Sequence, residues 1–141
     1  MTAAANAASA PQGKTIKFVV LPAESNAFPK AAQATTTSLL HAQVDGLGAA
    51  QASKVSLEVV QLAIECVEQS ITCYEAVGRS LAANDLLFAQ IAAVPRQQLR
   101  VTITLFDVDA KTPRTKAEKV FASEDEATAG IPELVAEVTR P

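Results

Sequence analysis

The chain has 141 residues, 49% of them apolar, with fifteen acidic and twelve basic side chains and a formal net charge of −3. That length supports one domain with a single sizeable core and is too short for two. Mild acidity without a tight run of Lys or Arg disfavours nucleic acid or an anionic membrane as a partner, and no stretch approaches the ~20 apolar residues of a membrane-spanning helix.

Residues 1–14 are read as a flexible lead-in to a domain over 15–141, because Met1 to Gly13 hold almost no bulky side chain to offset the entropy of ordering. The basic and apolar regions of a secretory signal are both missing. Two origins stay open: a cytoplasmic protein, or an exported segment that begins with an initiating Met in place of its leader.

Thr15–Leu21 (TIKFVVL) is β-branched, nearly continuous in apolarity from Phe18 and closed by Pro22, the pattern of a covered, central strand. Ser25 or Asn26 can cap a following helix with Pro29 in its first turn and Phe28, Ala32, Thr35 and Leu39 on one face. Gly46 and Gly48 are expected to end it. Gln51–Val55 is expected to be a short strand, with Ser56 as the N-cap of a helix bearing Leu57, Val60, Ile64 and Val67. After a polar break at Glu68–Ser70, Ile71, Tyr74, Val77 and Leu81 resume the period in a second helix.

Leu86–Val94 is an apolar strand ended by Pro95. Beyond the short turn Pro95–Gln98, Leu99, Val101, Ile103 and Leu105 alternate with Arg100, Thr102, Thr104 and Phe106, which predicts an antiparallel hairpin. The more polar Arg114–Phe121 suits an edge strand. Ser123 and Glu126 form a capping box before Ile131, Leu134, Val135 and Val138, but Gly130 and Pro132 move the expected helix start towards Pro132. The order β-α-β-α-α-β-β-β-α predicts an α/β (α+β) fold, a single mixed sheet with helices mainly on one face.

The opening strand KFVVLPAE, the passage GRSLAANDLLFAQI from Gly78 and the strand VTITLFDVDAKT together resemble the amino-terminal domain of the TolB family, itself similar to the periplasmic part of CsgG-like secretion proteins. Ala82–Ala83 stands where the family more often has Gly-Ala, and Gln90 where Gly is frequent. The resemblance covers Thr15–Arg140 and implies a non-enzymatic periplasmic or envelope domain that binds or scaffolds other proteins within a larger secretion, transport or motility assembly, and is compatible with a piece of a longer protein. It implies no reaction and no cofactor. The competing readings are a small cytoplasmic enzyme, which would need a pocket joining Asp107, His41 or Tyr74, and a cytoplasmic structural module.

Cys66 and Cys73 lie seven positions apart. On one unbroken helix that is ~10 Å of rise, beyond the ~7 Å that a disulfide spans, so a bridge requires the break at Glu68–Ser70; with that break a Cys66–Cys73 disulfide stapling the two helices is expected, and free buried thiols are the alternative. Two Cys and one His fall short of a zinc site, and no metal is expected. His41, late in a helix, reads as a solvated side chain, and Ser80 lacks the context of a nucleophile elbow. Asp107 and Asp109 read as turn formers more readily than as paired carboxylates with Glu118 or Glu24. Gly46 and Gly48 follow a helix, the reverse of a phosphate cradle. Glu124, Asp125 and Glu126 complement a helix start.

The candidate interaction surface is the sheet face carrying Arg100, Thr102, Thr104 and Phe106. With Leu99 to Leu105 turned to the helices, this face is expected to be at least partly open, with Phe106 accessible and Thr104→Arg tolerated by the fold. A protein partner or self-association would cover it.

Overall fold

The computed structural model describes residues 17–44 and 46–140; the lead-in over 1–14 and the start of the opening strand lie outside them. Nine elements follow in the expected order: β1 (Phe18–Val20), α1 (Pro29–Leu40), β2 (Gln51–Ala52), α2 (Leu57–Ala63), α3 (Ile71–Ser80), β3 (Asp85–Val94), β4 (Gln98–Asp107), β5 (Thr112–Phe121) and α4 (Glu124–Thr139). They form one mixed sheet of strand order β2-β1-β3-β4-β5. β1 pairs in parallel with β2 and β3, and β3, β4 and β5 make an antiparallel meander.

The helices do not gather on one face, and here the expectation is corrected. Phe18 and Val20 of β1, Leu87 and Ala89 of β3 and Leu99 to Leu105 of β4 pack with α1 and α4. Val19, Leu21, Leu86, Phe88 and Phe106 pack on the other side with Leu57 and Val60 of α2 and Val77 of α3. Two helices cover each face because β1 and Leu86–Ala89 of β3 are apolar at every position, and both rows of side chains must leave water.

Helix ends are set by local chemistry. Ser56 and Ser70 cap α2 and α3 by accepting from the N–H of Val59 and Cys73. α2 stops at Ala63, short of Ile64 and Val67, in a Schellman turn: Glu65 takes φ 58°, and the N–H groups of Cys66 and Glu65 donate to the carbonyls of Gln61 and Leu62. α3 ends in the same way, with Ala82 at φ 54° and Ala83 and Ala82 donating to Gly78 and Arg79. Gly78 is required there, because a Cβ would lie 2.9 Å from Val108 Cγ1 and closer still to Cγ2.

α4 begins at Glu124, not near Pro132. Ser123 Oγ accepts from the Glu126 N–H, and Glu126 Oε1 accepts from the Ala122 N–H, so the capped first turn outweighs the single bond Pro132 forfeits. Gly130 lets the Phe121 ring approach, with an added Cβ only 2.6 Å from Cε1. Glu124 also caps a second helix, its Oε2 accepting from the N–H groups of Lys30 and Ala31 at 2.8 and 3.0 Å. That contact supplies the cap that α1 lacks from its own N-cap residue, Phe28. α1 closes at Leu40, ahead of Gly46, and its threonines return their hydroxyls to carbonyls four residues back.

Candidate functional site

The cross-strand register builds a grid on the α3 side of the sheet. Phe88, Thr104 and Lys116 form one row, Gln90, Thr102 and Glu118 the next, and Ala92, Arg100 and Val120 the third. α3 covers the first row and reaches the second: the Tyr74 ring packs at 5.1 Å from Phe88 and 5.9 Å from Phe106, centroid to centroid, and its hydroxyl donates to Gln90 Oε1 at 3.4 Å. Burial pushes the Tyr74 phenol up, partly offset by the Gln90 bond. At the first turn of α3, between Ile71 and Tyr74, a groove of about 400 Å³ remains, floored by Gln90, Thr102 and Thr104 and walled by Ile71 on one side and Arg100, Lys116 and Glu118 on the other.

Of the four residues expected to form an interaction surface, all share this face but only Arg100 is exposed. Phe106 is 0% exposed and Thr104 3%, because α2 and α3 close the part of the face around Phe106, and only the part towards Arg100 stays open as a groove. An arginine at Thr104 would be driven into buried space, so that position does not accept it. Thr102 donates to Glu118 Oε1 at 2.9 Å, and Arg100 reaches the other carboxylate oxygen at 3.8 Å.

Cys66 and Cys73 are joined as a disulfide, their Cα atoms 5.7 Å apart. The break between the helices runs from Ile64 to Ser70, wider than Glu68–Ser70, and the Gln61 amide braces it by donating to the Glu68 carbonyl at 3.1 Å and approaching Cys73 Sγ at 3.3 Å. Among the described residues seven large apolar side chains are exposed; four of them, Val59, Leu62, Val67 and Ile71, fall in this α2–α3 segment and a fifth, Val55, lies just before it. Periodicity had placed Val67 on a buried helix face; it is 65% exposed, since the helix has already ended.

The carboxylates do not gather in one place: Asp107 and Asp109 lie near Asp85 and Arg114, apart from Glu118 and from Glu24. Asp107 Oδ1 accepts from the Ala110 N–H, as its turn role requires, and its Oδ2 meets Arg114 at 3.0 Å. Asp109 accepts from Asn84, Glu118 belongs to the groove, and Glu24 lies in a separate cleft with Glu58 at the carboxyl end of β1. Burial raises Glu58, with Glu24 adding to the shift and the Ser56 bond opposing it. Asp85, 2% exposed, pairs with Arg114 Nε at 2.8 Å; burial raises its carboxyl and the Arg114 bond pulls it back. His41 is exposed at the end of α1, so His41, Asp107 and Tyr74 sit in three different places. Among the described residues no three His, Cys, Asp or Glu side chains group to hold a metal ion, and no helix is long and apolar enough to cross a membrane.

No family model matches this chain, and no curated protein matches it. Among solved structures it is similar to the LpoB C-terminal domain from Salmonella enterica, at 11% identity and a TM-score of 0.47 over 78% of this chain and 86% of that one. It is similar to the PelC dodecamer from Paraburkholderia phytofirmans, at 14% identity and a TM-score of 0.47 over 89% of each chain. It is also similar to TolB from Acinetobacter baumannii, at 14% identity and a TM-score of 0.44, over 89% of this chain but 28% of that one. At such identities none of them lends a residue role to this chain.

Proposed function

We propose that this chain is a non-enzymatic domain that binds another protein in the cell envelope, through the surface of the disulfide-closed α2–α3 segment. The observation that carries the reading is the concentration there of exposed apolar side chains, with Leu62 at 67% and Val67 at 65%. Large apolar side chains concentrated along one segment of the chain favour a partner, whereas scattered ones do not. A disulfide across the loop holds these residues in place at low entropic cost on binding, and structural disulfides belong to oxidising compartments. The resemblance of KFVVLPAE and VTITLFDVDAKT to the TolB amino-terminal family supports the same location.

Affinity purification from the native host with the wild-type chain and with a Leu62→Asp/Val67→Asp variant tests it. The expected result is an envelope protein recovered by the wild type and lost by the variant, whose melting temperature is unchanged. Recovery of the same protein by both baits would overturn the assignment of this surface.

A further inference from the structure

We infer that the groove between α3 and the β4–β5 pair receives an acidic peptide segment of the partner, its carboxylate bound by Lys116 and the Thr104 hydroxyl; this rests on the protein-binding reading and specifies it. The floor is the starting point. Thr104 is 3% exposed and lines the groove, yet among the described residues its hydroxyl has no hydrogen-bond partner, and buried polar groups in folded proteins rarely stay unpaired.

The neighbouring groups are already engaged. Tyr74 donates to Gln90, Thr102 donates to Glu118, and Glu118 is held towards Arg100. What remains is the Thr104 hydroxyl, the Gln90 amide nitrogen and the exposed Lys116 ammonium, which is opposite Thr104 in the register and has no acidic partner among the described residues. The ammonium and the amide nitrogen can only donate and the hydroxyl can donate as well, so a single acceptor satisfies all three. Arg100 and Lys116 against Glu118 leave one positive charge in the groove of a chain whose net charge is −3, which makes the preferred acceptor a carboxylate.

A peptide fits better than a small acid. A volume of about 400 Å³ is within the range of ligand sites, and the wall residue Ile71, 49% exposed, continues into the apolar α2–α3 surface. An extended segment can place a carboxylate over Thr104 and a neighbouring apolar side chain on Ile71.

The test is amide chemical-shift titration of the isotope-labelled full chain with an acetylated peptide of alternating Leu and Glu, beside the same peptide with Gln for Glu. Saturable shifts at Ile71, Thr102, Thr104 and Lys116 with the Glu peptide are expected, with binding roughly tenfold weaker for the Gln peptide and for Lys116→Gln and Thr104→Val, the scale of one hydrogen bond to a charged group. Lys116 is exposed, so Lys116→Gln keeps the test valid even where Thr104→Val disturbs packing. Absence of saturable shifts at these residues, equal binding of the Gln peptide, indifference to Lys116→Gln, or preference for phosphatidylglycerol vesicles would each overturn the inference. None of these outcomes touches the Leu62→Asp/Val67→Asp comparison, so the two proposals fail separately.

Discussion

Gly78→Ala puts the packing of α3 on the sheet to a direct test. The added methyl would lie 2.9 Å from Val108 Cγ1, 3.1 Å from its Cβ and closer still to Cγ2, against the about 3.5–4.0 Å of a favourable carbon contact. Val108 is 2% exposed, so neither side chain has room to withdraw. Overpacking of this kind costs about 1–3 kcal/mol, and the helix-propensity gain of Ala over Gly returns up to about 1 kcal/mol. The expected net loss is about 1–2 kcal/mol, read by urea denaturation at constant slope. Val108→Ala, which removes the obstructing methyls, should cost about 2 kcal/mol alone, and adding Gly78→Ala to it should cost nothing further. The reasoning is refuted if Gly78→Ala stabilises the wild type, or destabilises both backgrounds equally.

Ala82→Gly should stabilise by about 1 kcal/mol, since φ 54° is a left-handed conformation that penalises a side chain; a lower urea midpoint would count against the Schellman ending of α3. Cys66→Ser should lose about 2–3 kcal/mol, the loop-closure value for so small a ring, and a non-reducing alkylation mass should show no free thiol in the oxidised wild type. Glu58 has a raised folded value, so its contribution is complete below the ordinary carboxylate range and is lost as pH rises through the folded value. Glu58→Gln should therefore gain on the wild type as pH increases from 3 to 7. A difference independent of pH would refute the half-buried placement of that carboxyl.

The order of elements was legible because apolar periodicity survives in almost every segment, from FVVL through the alternation of Leu99 to Leu105. The two-sided burial was also written in the continuous apolarity of β1 and of Leu86–Ala89. It was obscured on β4, where Thr102 and Thr104 read as solvent-facing although α3 and the cross-strand partners bury them. Helix ends were less legible: Glu65 and Ala82 occupy left-handed positions that composition assigns to glycine, so the stop at Ala63 had no local signal. The continuity of α4 past Gly130 and Pro132 depends on contacts distant in sequence, Phe121 against Gly130 and Glu124 against the start of α1. The groove belongs to the same class, since Tyr74, Thr104 and Lys116 meet only through the sheet register.

Site-specific photo-crosslinking in the native host tests the central claim most directly, with the reactive side chain placed in turn at Leu62, at Val67 and, as a control, at exposed Glu133 on the opposite face of the sheet. The expected result is a discrete adduct with another protein in the envelope fraction from Leu62 and Val67 and none from Glu133. Adducts from Glu133 alone, no adduct at Leu62 and Val67, or adducts confined to the cytoplasmic fraction would contradict it.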